Sequence, residues 1–113
     1  MGSKYYNIKT KSSDGIVFDS GKEAARWEQL RLLLRAGKIQ DLQRQVKFVV
    51  IPKQCDERGK MVERECTYIA DFAYTDTETG EYIVEDTKGI KTKDFIIKRK
   101  LMLWVYKIRV KVI

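Results

Sequence analysis

Asp71, Asp86 and Lys88 fall within one stretch rich in apolar and β-branched residues, from Tyr68 to Gly89. Aspartates are hard oxygen ligands suited to a divalent cation such as Mg2+, which keeps several of its waters and binds phosphate oxygens. A lysine beside such a pair can hold a phosphate and orient or deprotonate a water. Asp86-Thr87-Lys88 is the one acidic-x-lysine triplet in the chain. Chance produces such a triplet readily in a sequence this charged, and an exposed cross-strand ion pair is its plain alternative. Glu23 is a further candidate with two readings. It completes a Ser-x-x-Glu capping box with Ser20, and it shares a helix face with Trp27, Leu30 and Leu34, where it could serve as an acidic ligand facing a sheet.

The elements that must position these residues can be read from pattern. Tyr68–Tyr74 and Glu81–Lys88 flank the polar turn Thr75–Gly80, which predicts a β-hairpin. Strand alternation puts Asp86 and Lys88 on one face and turns Glu85 to the other. Asp71 joins Asp86 if it pairs opposite an even-numbered residue such as Val84, and a one-residue slip sends it to the other side. Ser20 predicts the N-cap of a helix over 23–36 that stops at Gly37. Ile39–Ile51 reads as extended, with Pro52 ending it, and 53–60 as a loop or hairpin tip. Thr92 predicts the cap of a second helix over 93–104, and Tyr106–Ile113 alternates as a strand with one apolar and one basic face. Strand, helix, strand over 82–113 implies a crossover and a parallel pair. The fold class expected is α/β (α+β), a mixed sheet with helices in the order αβββαβ. Residues 1–15 read as a basic, irregular N-terminal arm and 16–113 as a single domain.

Composition narrows the chemistry. At 113 residues, 43% hydrophobic, the chain can bury a core. Its net charge of +7 suits a polyanionic partner, nucleic acid first among them. There is no histidine, which removes imidazole-based triads, and two cysteines cannot close a tetrahedral zinc site. No apolar run approaches the ~20 residues that span a membrane, and nothing resembles a signal peptide, so a cytoplasmic location is expected. Lys98-Arg99-Lys100 forms a basic cluster that reads as a solvated helix face or as phosphate contacts.

Phe18-Asp19-Ser20-Gly21-Lys22-Glu23-Ala24-Ala25-Arg26, Tyr68–Tyr74 and Val84–Gly89 together resemble the PD-(D/E)XK nuclease superfamily. More narrowly, they are similar to a family of small phage proteins likened to Holliday junction resolvases, and the similarity covers nearly the whole chain. The resemblance implies a restriction-endonuclease-like core, with Asp71 and Asp86 as metal ligands, Lys88 as catalytic lysine and Glu23 as the helix acid. Ala70 stands where the superfamily name expects proline, a position with no chemical role. The implied activity is Mg2+-dependent hydrolysis of DNA, with Mn2+ able to substitute, on a substrate that includes branched forms, by a homodimer. Gln45, Lys91, Lys98 and Arg99 are the candidate nucleic-acid contacts, Gln45 from the neighbouring strand.

Overall fold

Ser20 starts the first helix, as its position before an alanine- and leucine-rich run requires. Its backbone is extended and its hydroxyl accepts the Glu23 amide at 3.2 Å, satisfying one of the helix's unpaired donors. The computed structural model describes residues 9–87 and 91–113. Within them the order is β1 (Thr10–Lys11), β2 (Val17–Phe18), α1 (Gly21–Arg35), β3 (Ile39–Ile51), β4 (Gln54–Cys55), β5 (Met61–Glu63), β6 (Cys66–Asp76), β7 (Tyr82–Asp86), α2 (Lys93–Tyr106) and β8 (Lys111–Val112). Setting aside the two small antiparallel hairpins, β1–β2 and β4–β5, the order is αβββαβ, as expected. The four-stranded sheet runs β3-β6-β7-β8, and β8 lies parallel to β7 with Glu85 opposite Lys111 and Asp86 opposite Val112. Among the described residues no helix is long and apolar enough to cross a membrane.

The chain divides into two compact units, Met1–Leu42 with Thr75–Glu81 and Gln43–Tyr74 with Tyr82–Ile113. In the first, Phe18, Ala24, Trp27 and Leu30 are buried, and the Phe18 and Trp27 rings lie 6.1 Å apart. Leu34, expected on the same helix face, is exposed, as are Leu32 and Leu33, because burial along α1 ends at Leu30. Gly37 takes φ +75°, the left-handed stop that a glycine adopts without steric cost. The turn of the central hairpin is built on Asp76, whose carboxylate accepts the Glu78 and Thr79 amides at 2.8 and 3.0 Å.

The lead-in before α1 is less irregular than its sequence suggests. Lys4 and the tyrosines near it lie outside the described residues, but Thr10 pairs with Phe18 and Lys11 with Val17. Asp14, in the loop of this hairpin, accepts the Trp27 indole N–H at 3.0 Å and the Ser12 hydroxyl, and sits 3.6 Å from the Arg31 guanidinium. Glu28 accepts the Ser13 amide and hydroxyl at 2.7 and 2.8 Å. These bonds tie the hairpin to α1. The Ser12 and Trp27 donors hold the Asp14 carboxyl down to about 2, from an ordinary 3.8. A lowered folded-state value stabilises the fold above pH ~4 and loses that stabilisation as pH falls toward 2. The carboxylate lies at the surface, so its effect is modest. Asp14→Asn is therefore expected to flatten the fall in melting temperature between pH 4 and pH 2, measured by circular dichroism. A wild-type slope retained in the variant would remove Asp14 from the account.

The second unit holds the larger core. Val50, Tyr68, Ala70, Ala73, Val84, Phe95, Met102 and Val110 form one buried cluster that joins α2 to β3, β6 and β7. Phe48 packs against it and meets the Tyr106 ring edge-on at 5.6 Å, while the Tyr106 hydroxyl donates to the Val49 carbonyl at 2.6 Å. The terminal alternation is correct about faces and too generous about length. Ile108, Val110 and Val112 do turn to the core, but Tyr106 ends α2, Lys107 caps it in the left-handed region, and strand pairing covers just Lys111–Val112. Pairing needs a partner as well as a pattern, and β7 is five residues long.

Candidate active site

The site residues of the second unit meet where β6 and β7 run side by side. Asp86 ends β7 at 1% exposure, and the Tyr68 hydroxyl of β6 donates to its Oδ2 at 2.5 Å. Burying a carboxylate is costly unless donors meet it, and a short charge-assisted bond of this kind is what offsets the loss of water. Asp71, half-buried on β6, is held by Thr87, whose backbone N–H and hydroxyl both donate to its Oδ2, at 2.8 and 2.7 Å. Burial, the bond to Asp86 and the charges of Asp86 and Asp71 together push the Tyr68 phenol far above its usual value of 10. Both carboxylates thus act on the same hydroxyl, which remains a neutral donor at any physiological pH. The structure brings Asp71 and Asp86 into one neighbourhood around Tyr68.

The alternation of β6 shifts along its length. Asp86 and Glu85 are adjacent, so they point to opposite faces of the sheet. Asp86 meets Tyr68, whereas Glu85, fully buried, accepts the hydroxyl of Tyr74. Tyr68 and Tyr74 are six residues apart and would share a face in a regularly alternating strand. They reach opposite faces, so the alternation slips by one between them. Ala70 and Ala73 both belong to the cluster that contains Tyr68 and Val84, which places the slip between those two alanines. Bulge-like shifts of this kind re-aim a side chain.

The other expected site residues are placed as follows. Lys88 lies outside the described residues. Glu23 is 92% buried on the first turn of α1, in the other unit, where its amide bonds Ser20. Glu85 has the orientation that alternation predicts, away from Asp86. Gln45 is exposed on β3 with φ +53°, an uncommon backbone state for this residue type, and makes no claim on the carboxylate pair. Lys91 is exposed. Lys98 is bonded to Asp94 at 3.3 Å, one turn earlier on α2, and the Arg99 guanidinium lies 5.9 Å from the Phe95 ring centroid. A cleft of about 260 Å³ opens beside Tyr68, between β6 and the start of α2, lined by Ile69, Thr92, Asp94, Phe95 and Lys98.

Tyr68, Tyr74 and Thr87 have roles that inspection of the sequence misses. The signal for Tyr68 and Tyr74 is indirect: two buried acids on β7 require two donors from a neighbouring strand, and β6 carries a tyrosine near each end. The donor set at Asp71 and Asp86 is two carboxylates, and among the described residues no three acidic or thiol side chains gather as a ready metal cluster. Two carboxylates fit Mg2+ or Mn2+, ions bound through one or two carboxylates with waters completing the shell. They do not make a structural zinc site, which is closed by four ligands drawn from cysteine and histidine.

Searches of curated proteins and of solved structures find no significant similarity. A family profile described as Protein of unknown function (DUF1064) matches residues 2–112, nearly the entire sequence, and the protein belongs to that family.

Proposed function

We propose that the protein is a Mg2+-dependent endonuclease that hydrolyses DNA phosphodiester bonds, selective for branched structures in the manner of a Holliday junction resolvase. The observation that carries this reading is the pair Asp71 and Asp86, drawn from adjacent strands of an αβββαβ core, each fixed by its own donor and followed by Lys88. The resemblance of the three quoted stretches to PD-(D/E)XK nucleases supports it, and with it a phage origin and action in the cytoplasm of a bacterial host.

Asp71 and Asp86 would hold Mg2+, with Mn2+ as a substitute, and the bound ion would supply Lewis acidity at the scissile phosphate. Thr87 and Tyr68 orient the two carboxylates before any ion arrives, so little reorganisation accompanies binding. Tyr68 stays protonated because its own ionisation is opposed by both neighbouring charges. Lys88 is assigned to hold the scissile phosphate as an ammonium, or as the neutral amine to orient and deprotonate the attacking water. Water adds across the P–O bond: its oxygen bonds phosphorus while the departing oxygen takes up a proton. Glu23, the helix acid of resolvase-like relatives in the resemblance, is assigned a supporting acidic role. Symmetric cutting of two strands needs two sites, hence a homodimer.

The charge of +7 fits equally well a second reading, a nucleic-acid-binding module that keeps the fold and does not cut. The deciding experiment compares end-labelled four-way junction with matched linear duplex in Mg2+, Mn2+ or EDTA. Symmetric, metal-dependent cuts confined to the junction are expected. Equal cutting of both substrates removes the junction selectivity, and tight binding without cuts in any metal selects the binding module.

A further inference from the structure

Helix α2 carries a stripe that folding does not use. Phe95 and Met102 are its buried residues and mark the face turned to the core. At about 100° per residue, Lys93, Ile97, Lys100 and Trp104 lie along the opposite face, at spacings of four, three and four. Lys107 extends the line: its ammonium lies 5.8 Å from the Trp104 ring centroid and bonds the Trp104 carbonyl at 3.1 Å. All five residues are exposed, Ile97 at 58% and Trp104 at 77%. The Trp104 indole adds nothing to the core, and it is exposed together with Ile97, Leu103 and Val105, a grouping of the kind that serves interaction surfaces. Asp94, the one acidic residue of the helix, is bonded to Lys98 off the stripe, so the stripe itself is purely cationic.

The charge selects the partner. A second copy of this chain would set lysine against lysine, which repels. A lipid surface would need a broad apolar face, and the exposed apolar residues of α2, Ile97, Leu103, Trp104 and Val105 among them, are interrupted by the lysines of the stripe. What remains is a polyanion with flat apolar surfaces between its charges. We propose that the Lys93–Ile97–Lys100–Trp104–Lys107 stripe binds single-stranded nucleic acid, with Trp104 stacked on an unpaired base and the three lysines on flanking phosphates. Base–aromatic stacking beside a cationic track is the general means of holding single strands, and Lys93 to Lys107 spans about 21 Å of helix, room for several nucleotides. The inference rests on the nuclease reading for the class of partner, a nucleic acid.

The test is binding of labelled oligo(dT) and of a blunt duplex of equal length, in EDTA so that no cutting occurs, read by fluorescence anisotropy. Trp104→Ala is expected to weaken oligo(dT) binding about 5- to 100-fold, the worth of one stacked base, with Trp104→Phe restoring most of it and duplex binding nearly unchanged. Three phosphate contacts give a slope of log K against log salt near −2, and Lys100→Ala should reduce its magnitude by about 0.7. The chain has two tryptophans, and Trp27 is 91% buried, so quenching by oligo(dT) reports on Trp104. Unchanged oligo(dT) affinity in Trp104→Ala overturns the inference. So does an equal loss for duplex, a Trp104-dependent association with phosphatidylserine vesicles in place of oligo(dT), or a dimer that dissociates in the variant. The nuclease reading fails separately, by absence of cutting in any metal, and Trp104-dependent binding in EDTA is indifferent to that result.

Discussion

Lys88→Ala is expected to lower the rate of metal-dependent cleavage by about 10²- to 10⁴-fold, the range that a positioned proton-handling group contributes. Asp86→Asn should lower it at least as far, for a different reason. The amide oxygen of asparagine can still accept the Tyr68 hydroxyl, which now meets Asp86 Oδ2 at 2.5 Å, so the buried position keeps its bond and loses its charge. Asp71→Asn makes the parallel exchange against the Thr87 amide and hydroxyl. Near-isosteric variants of this kind separate chemistry from folding: circular dichroism and melting in EDTA should stay close to wild type while cutting disappears. Glu23→Gln sharpens the contrast. The N-cap bond uses the Glu23 backbone amide and the Ser20 hydroxyl, so the substitution leaves it in place. A fall in cleavage without a fall in melting temperature would then show that an acid is needed on α1. Wild-type cutting by Asp86→Asn would remove Asp86 from the proposed site.

The sequence shows the frame of this site better than its aim. Ser20 and Thr92 mark the helix starts because few residue types satisfy an unpaired amide there, and both caps are present, with Thr92 accepting the Phe95 amide at 3.1 Å. The central hairpin and the parallel β7–β8 pair follow from turn chemistry and from the crossover that a strand-helix-strand order demands. The placement of Asp71 does not follow. Period-two reasoning sets Tyr68, Ala70, Phe72 and Tyr74 on one face, whereas the structure divides them, with a slip between Ala70 and Ala73. Neither alanine signals a slip, because the cause lies in pairing with β7 and in the two buried acids there. The Tyr68–Asp86 bond joins residues 18 apart, and the Asp14–Trp27 bond joins residues 13 apart. Local pattern reports local preference, and these bonds are set by tertiary neighbours. The basic cluster at 98–100 shows the same limit. Three consecutive cations look equivalent in sequence, but the helix sends Lys98 to Asp94, Arg99 to the Phe95 ring and Lys100 to solvent.

Mg2+ should raise the melting temperature, and Tyr68→Phe should reveal how the site is held without it. Asp86 is almost fully buried and shares the surroundings of Tyr68 with a second carboxylate, so in EDTA two like charges are balanced chiefly by fixed donors. An ion that binds only the folded chain at 100 times its Kd adds about 2.7 kcal/mol, which for a chain of this size is on the order of 10 °C. Removing the Tyr68 hydroxyl deletes a bond to a charged group, with an expected cost of about 1.5–3 kcal/mol in EDTA, a drop of several degrees. The same change should weaken metal binding about 10- to 100-fold, as loss of a group orienting a ligand does, so more Mg2+ is needed for the same shift. Alkaline titration gives an independent reading. The raised Tyr68 value means the folded chain keeps a proton that the unfolded chain gives up near pH 10, so stability should fall above that pH, and fall less steeply in Tyr68→Phe. Thermal melts across Mg2+ and Mn2+ concentration, with Asp86→Asn as the variant that should show no shift, decide the matter. If wild type melts at one temperature with and without divalent ions, Asp71 and Asp86 are a hydrogen-bonded structural pair, and Tyr68 serves the core alone.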